Sequence, residues 1–485
     1  MNINDVITRQ ARIRPHAVAM IRAGGALVSY ELLERLIGQF AEALYARGVL
    51  AGQVVGVAML NHPAHLITLF ALARLGAVSV AVHPALPAEQ RARIVSAFGV
   101  RTVISDGAAP APEGCAGILA TELESGPRAV PPVRPAGDGR DTWRISLTSG
   151  STGAPKGVQT SHALTLQLLQ AHQMVAGIRP ESRFLASMDL NVNIGLTLAL
   201  RHLLVGSTVV FPARLANEHY VEAIDRYAIT HMMTSPLVLQ RLVESTRGEQ
   251  VRFPSLRHVS VAGGALPREL RRAAYQRITP HLYTYYGTNE VGLVAVGEPE
   301  LLWRRPEAVG VPVPGIDVQV VDAQDAPVPT GTVGALRIRG PHFPTGYLNA
   351  PDAEGFRDGW YYPGDLAMFD ADGLLSITGR SDELINVRGN KVQPGAIEEA
   401  LLSHAAVSEA VCFGLAGADG GMTLCAAVVR RAEVAEAELI SACAQRLGNH
   451  LAPSRIFFVQ QMPRNSSDKP LRGELAQQAA AGTLK

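Results

Sequence analysis

The chain predicts an α/β protein: a large N-terminal domain of stacked, mostly parallel sheets with helices, a β-rich subdomain, and a small α+β C-terminal domain. Three observations predict it. In the first three hundred residues, helical periodicities alternate with strands that are apolar on both faces. Beyond Val311 the composition shifts to short strands punctuated by Gly and Pro. From Glu383 strands and helices resume in a segment of about a hundred residues, a size that can hold its own core.

The elements follow in order. Residues 32–47 carry helical periodicity, 54–60 form an apolar strand, 65–75 a buried helix and 78–82 a second strand. Helices alternating with fully apolar strands imply parallel sheet covered on both sides. The pattern recurs over 184–211 and 231–262, and residues 143–147 read as a short strand. Residues 316–321 and 334–339 are the strands of the β-rich subdomain; 410–413 and 424–429 are strands and 436–447 a helix of the last domain. The proline cluster at 129–135 reads as a rigid linker.

Composition excludes several classes. At 485 residues the chain has room for roughly three core-sized units. A formal charge of +1 gives no basic field, which argues against nucleic acid as the main partner. Cys115, Cys412, Cys425 and Cys443 lack metal-ligand spacing, so reduced buried thiols in a cytoplasmic protein are the expectation. The N-terminal residues 1–5 carry no apolar signal core. The apolar runs at 66–82 and 194–211 are interrupted by Arg74 and by Arg201-His202, so they read as buried core and not as membrane spans.

Chemistry concentrates in Leu147-Thr148-Ser149-Gly150-Ser151-Thr152-Gly153-Ala154-Pro155-Lys156-Gly157. Glycines let backbone N–H groups converge, hydroxyls donate, and Lys156 supplies charge, which together suit a polyphosphate. It is not a Walker loop: Gly157 follows the lysine where Ser or Thr would stand, and no helix start follows.

With that loop and five further motifs in order, the chain resembles the adenylate-forming enzymes: acyl- and aryl-CoA synthetases, adenylation domains of nonribosomal peptide synthetases, and luciferases. The further motifs are Ala262-Gly263-Gly264-Ala265, Tyr286-Gly287-Thr288-Asn289-Glu290, Tyr362-Pro363-Gly364-Asp365, Gly379-Arg380-Ser381-Asp382-Glu383 and Pro463-Arg464-Asn465-Ser466-Ser467-Asp468-Lys469. The resemblance runs from Ser29-Tyr30-Glu31-Leu32 to Lys469. It implies ATP-dependent activation of a carboxylic acid as an acyl-adenylate, with release of pyrophosphate and transfer to the thiol of CoA or of carrier-protein phosphopantetheine. It also implies an adenylation domain over 1–380, a hinge at 381–382 and a mobile lid domain over 383–485.

Such chemistry needs donors and cations already in place where charge builds on the phosphorus oxygens. Lys156 with Thr148, Ser149, Gly150, Ser151, Thr152 and Gly153 can hold the leaving phosphates. Glu290 is the candidate ligand for Mg²⁺, which takes only one or two carboxylates; alone it would be a solvated loop glutamate. Tyr286 can stack on adenine or be a core tyrosine. Asp365 can accept both ribose hydroxyls, or cap the turn after Gly364. Gly264, Ala265, Gly287, Thr288 and Asn289 complete the nucleotide set, with Arg380 reaching ribose or phosphate. The resemblance makes Lys469 the catalytic lysine swung in from the C-terminal domain, and Asp382 the hinge residue. Asp468, Asn289 and Pro363 stand where the family usually has Gly, Thr and Thr. A non-catalytic binding protein would need a broken site, yet Lys156, Glu290, Asp365 and Lys469 are all present.

The acid pocket is expected from Asn191, Asn193, Ala262, Gly263, Tyr285 and Leu293. Amino-acid-selecting relatives place an aspartate near 191–193. Asparagine cannot neutralise an ammonium, which disfavours an α-amino acid, although Asp189 lies close by. A bulky Tyr285 favours a small or aromatic acid if it faces the pocket, and says nothing if it points into the core. Free CoA and a carrier protein remain open as acceptors, and the chain is expected to be a monomer or homodimer.

Overall fold

The computed structural model describes residues 2–127, 129–130, 139–148, 155–246, 250–264, 266–349, 355–387, 390–416, 422–464 and 470–484. Two largely parallel sheets dominate the N-terminal domain. One has six strands in the order Ala116–Leu119, Thr102–Ser105, Val54–Ala58, Val78–Ala81, Thr142–Thr148 and Lys156–Ser161, parallel except for the final hairpin. The other has nine strands; its parallel run passes from Leu282–Thr288 through His258–Val261, His231–Thr234, Arg183–Leu185 and Thr208–Val210 to Val18–Ile21. Antiparallel strands close both ends of that run.

The helices Tyr30–Ala46, Pro63–Leu75 and Asn193–Leu204 share the largest apolar core with strand residues of both sheets. Pro63–Leu75 is buried on nearly every side, which explains its unbroken apolar sequence. It starts two residues before the sequence boundary because Pro63 fits the first helical turn, where no N–H is needed. Tyr30–Ala46 likewise starts earlier than 32, since the Ser29 side chain accepts from the Leu32 N–H at 3.1 Å and caps it.

The β-rich subdomain is a six-stranded antiparallel sheet between Asp317 and Arg380, packed on the end of the nine-stranded sheet through Val291, Val294 and Ala295. The C-terminal domain sets Val407–Ala416, Met422–Arg430 and Arg455–Phe458 into a three-stranded sheet flanked by helices Pro394–Leu402, Glu436–Leu447 and Arg472–Ala480. All four cysteines are unpaired. Cys412, Cys425 and Cys443 are buried as expected, but Cys115 is only partly so. No helix among the described residues is long and apolar enough to cross a membrane. Residues 131–135 of the proline linker lie outside the described residues.

Candidate active site

The phosphate loop joins two antiparallel strands, with Thr148 paired opposite Lys156 at the mouth of the hairpin. The sequence reading of a strand that does not enter a helix holds. Gly157 is required by packing: a Cβ there would stand 2.6 Å from the Phe98 ring and 2.7 Å from Ile145. A segment from the subdomain clips the loop's end. Leu348 N–H donates to the Gly157 carbonyl at 2.8 Å, and the Asn349 side chain accepts from Gly157 N–H at 3.1 Å while donating to the Pro155 carbonyl at 2.6 Å. Ser149, Gly150, Ser151, Thr152 and Gly153 lie outside the described residues, as do Ala265, Asp468 and Lys469.

Between the hairpin and the hinge lie two polar chains, one ending on Glu290 and the other running from Tyr286 to Asp382. The Lys156 ammonium sits 5.3 Å above the Tyr347 ring, and the Tyr347 hydroxyl donates to Glu290 Oε1 at 3.1 Å. Glu290 is buried at the turn following the Leu282–Thr288 strand, so it is not a solvated loop residue. Tyr361 lies against the same carboxylate. Burial first, and the Glu290 charge second, push the Tyr347 and Tyr361 phenols well above their usual range, so both remain donors. On the same strand, Tyr286 donates its hydroxyl to the buried Asp365. Arg380 Nη1 reaches Asp365 at 3.3 Å and the Pro363 carbonyl at 3.1 Å. Its Nε and Nη2 grip Asp382 at 2.8 and 2.9 Å. That bidentate bond raises the Arg380 guanidinium and holds the Asp382 carboxyl below the ordinary carboxylate range. Gly364 supplies the left-handed turn, φ +82°, that sets Asp365 beside Arg380.

The acid side lies where the Asn193–Leu204 helix starts. Asn193 Nδ2 donates to the Asn289 carbonyl at 3.2 Å, and Asn289 Nδ2 to the Leu147 carbonyl at 3.4 Å. These two bonds tie the helix start, the glutamate turn and the phosphate strand together. One of the two N–H donors of the Asn289 amide is thereby spent on backbone. Asn191 gives its amide N–H groups to the Met59 carbonyl and to Asp189 Oδ1, both at 2.8 Å. Asp189 is itself held by His83 at 2.6 Å. Burial alone would raise its carboxyl, but His83 and the Asn191 bonds outweigh that and keep it low. Asp189 therefore stays ionised, with its oxygens held by His83 and Asn191. Tyr285 is 5 % exposed and packs in the main core with Leu293, its hydroxyl 2.8 Å from His258 Nε2. Gly263 is exposed with Gly264 in the turn after the His258–Val261 strand, and Ala262 is half-buried there. Gly287 and Thr288 end the strand that carries Tyr286.

Tyr347, Tyr361 and Asn349 are site residues that the sequence reading missed. They sit in Gly- and Pro-rich stretches without periodicity, and only the fold brings them to Glu290 and Pro155.

Residues 7–348 match the AMP-binding enzyme family and residues 396–469 its C-terminal domain. The chain belongs to the AMP-binding enzyme family. It is an adenylate-forming ligase, as the motifs imply. Among its relatives, the 2-succinylbenzoate–CoA ligase of Bacillus cereus is 27% identical over 452 residues, covering 93% of each chain. That of Bacillus cytotoxicus is 26% identical, covering 97% of this chain and 98% of its own. Among solved structures, the o-succinylbenzoate CoA synthetase of Bacillus subtilis with its acyl-adenylate intermediate superposes with a TM-score of 0.89 at 25% identity, covering 97% of both chains. The amide bond synthetase of Marinactinospora thermotolerans does so at 0.85 and 26%, covering 97% of this chain and 99% of its own.

Proposed function

We propose that this chain joins a small aromatic carboxylic acid to coenzyme A. The acid's carboxylate oxygen attacks the α-phosphorus of ATP and pyrophosphate leaves; the thiol then attacks the acyl carbon and AMP leaves. The observation that carries the reading is the chain Lys156–Tyr347–Glu290 beside the chain Tyr286–Asp365–Arg380, which suit a polyphosphate and a ribose respectively. Relatives matched along almost their whole length are named as CoA ligases of an aromatic acid.

In this reading Thr148, Lys156 and the loop 149–153 hold the leaving phosphates. Tyr286 lies against adenine and Asp365 takes the ribose hydroxyls. Glu290 fits Mg²⁺: it is one buried carboxylate positioned by phenol donors, and no cluster of three metal-binding side chains exists among the described residues. Bound there, Mg²⁺ would neutralise phosphate charge with one protein oxygen and mostly water. Lys469 bridges the two reacting groups during adenylation. The boundary after residue 380 and the hinge at 381–382 are supported by Arg380 gripping Asp382 on one side and Arg472 pairing with Glu383 on the other. An α-amino acid is disfavoured because the Asp189 oxygens are already taken by His83 and Asn191.

Acid-dependent ATP–pyrophosphate exchange across a panel of aromatic, short-chain, long-chain and amino acids tests this, followed by thioester formation with CoA or with carrier proteins. Aromatic acids and CoA should win. Exchange confined to amino acids, or thioesters formed only on a carrier protein, would refute the reading.

A further inference from the structure

Between the helix Pro236–Ser245 and the paired strand ends at Val407 and Arg430, the two domains border a cleft of about 440 Å³. Three arginines line it against two glutamates: Arg241 and Glu244 from the helix, and Glu409, Arg430 and Arg431 from the C-terminal domain. Both carboxylates are already engaged. Glu244 Oε1 accepts from Gln240 Nε2 at 2.9 Å and from Arg431 Nη2 at 3.3 Å, and Glu409 is paired with Arg464. The arginines are not matched in return. Arg241 is exposed and pairs with no carboxylate among the described residues. Arg430 lies 4.4 Å over the Phe458 ring, and its carboxylate partner among the described residues is Glu433, 3.4 Å away and 95 % exposed. A pair that open to water is worth little. The cleft therefore carries more cation than its own carboxylates neutralise, and the excess falls at Arg241 and Arg430, one from each domain.

We propose that this cleft is an anion site, taking a phosphate group between Arg241 of the N-terminal domain and Arg430 and Arg431 of the C-terminal domain. A guanidinium fork matches phosphate oxygens pairwise, and a cleft walled by protein focuses that attraction more than open surface does. An anion held from both sides bridges the domains, so it favours this arrangement of them and opposes a swing of the C-terminal domain until it leaves. Free phosphate and the phosphorylated end of coenzyme A present the same group. The second source can reach the cleft because the helix starts beside the glycine pair. Pro236 lies 3.7 Å from the place of a Cβ on Gly264, and Arg241 is about 7.5 Å of helix rise beyond Pro236. The site itself stands without the ligase reading; the choice of coenzyme A as its source rests on it.

Inorganic phosphate titrated calorimetrically into the full chain, at constant ionic strength and without substrates, tests the site. Binding should survive Lys156→Ala, which removes the cation of the phosphate loop. It should weaken about tenfold in Arg241→Gln and in Arg430→Gln, the worth of one charge-assisted hydrogen bond. Glu244→Gln unpairs Arg431 and should tighten binding by up to about fivefold, a gain that no misfolded variant gives. Binding lost in Lys156→Ala, or equal in the wild type and all three cleft variants, overturns the anion site. The source is read from thioester formation with CoA and with dephospho-CoA. A KM for CoA that rises about tenfold in Arg430→Gln supports a site filled by CoA, and a KM for dephospho-CoA that stays put places the 3′-phosphate there. Unchanged KM values, with phosphate binding weakened in the same variant, support a site filled by free phosphate. Absence of exchange with every acid overturns the ligase reading and leaves the phosphate titration to judge the site.

Discussion

Glu290 shows how much one carboxylate depends on its neighbours. Its Oε1 accepts from Tyr347, and a phenol kept protonated by burial is a constant donor. Tyr347→Phe removes that bond and leaves Glu290 in place, so kcat/KM should fall about tenfold, the worth of one hydrogen bond to a charged group, and the Mg²⁺ concentration for half-activity should rise. Glu290→Gln should cost far more. Exchange rates over a Mg²⁺ titration check both, and an unaltered Mg²⁺ dependence in both variants would remove Glu290 from the metal's shell. Lys156, Glu290 and Asp365 could be named as candidates from the sequence because each stands in a short motif that resembles one of the family's. Tyr347 was not, since its meaning is a contact spanning 57 residues.

At the scale of elements, the phosphate hairpin is set by two different causes. The strand before the loop and the missing helix start after it were legible in the sequence, whereas the antiparallel return strand was not. Nor was the hairpin's anchoring, because Asn349 reaches back 194 residues to the Pro155 carbonyl. Asn349→Ala removes two bonds from the loop's end without touching Thr148 or Lys156. The KM for ATP should rise about five- to tenfold, as loss of one or two neutral hydrogen bonds predicts, with kcat nearly unchanged. Steady-state kinetics with ATP varied would show it; an unchanged KM would mean that the hairpin holds its shape alone. The order of the nine-stranded sheet was likewise beyond the sequence. Val18–Ile21 pairs with Thr208–Val210, and apolar strands carry no label for partners so far away.

The whole molecule adds a pH dependence and a motion. His65 and His231 are pushed down to about 4, burial being the main cause in each. Their unfolded counterparts titrate near 6.5, so the unfolded chain takes protons first as the pH falls. Stability should therefore be fully present above about pH 6.5 and drain away toward pH 4, by roughly 1.4 kcal/mol per unit for each histidine. Thermal melts between pH 7.5 and 4.5 should show the slope, and His231→Gln should flatten it; an equal slope in that variant would assign the acid sensitivity elsewhere. The motion is proposed to carry Lys469 in and out. Lys469→Ala should lower adenylation by orders of magnitude, as loss of a cation from phosphoryl-type transition states does, while thioester formation from pre-made adenylate is largely spared. Equal loss in both steps would tell against two working positions of the C-terminal domain.

The adjacent acids Asp382 and Glu383 face opposite loyalties. Asp382 is gripped by Arg380, which is tied to Asp365 in the subdomain, whereas Glu383 pairs with Arg472, which also binds Glu398 inside the C-terminal domain. The peptide bond between them is a seam at which each side already carries its own counter-charge. A protein cut there would keep the ions at the hinge paired, breaking instead the pair of Arg431 with Glu244 at 3.3 Å across the two pieces, and each piece keeps its own apolar clusters. Fragments 1–382 and 383–485, made separately and mixed, should each stay folded and recover part of the exchange activity. Fragments cut after residue 379, which would sever Arg380 from Asp365, should recover less.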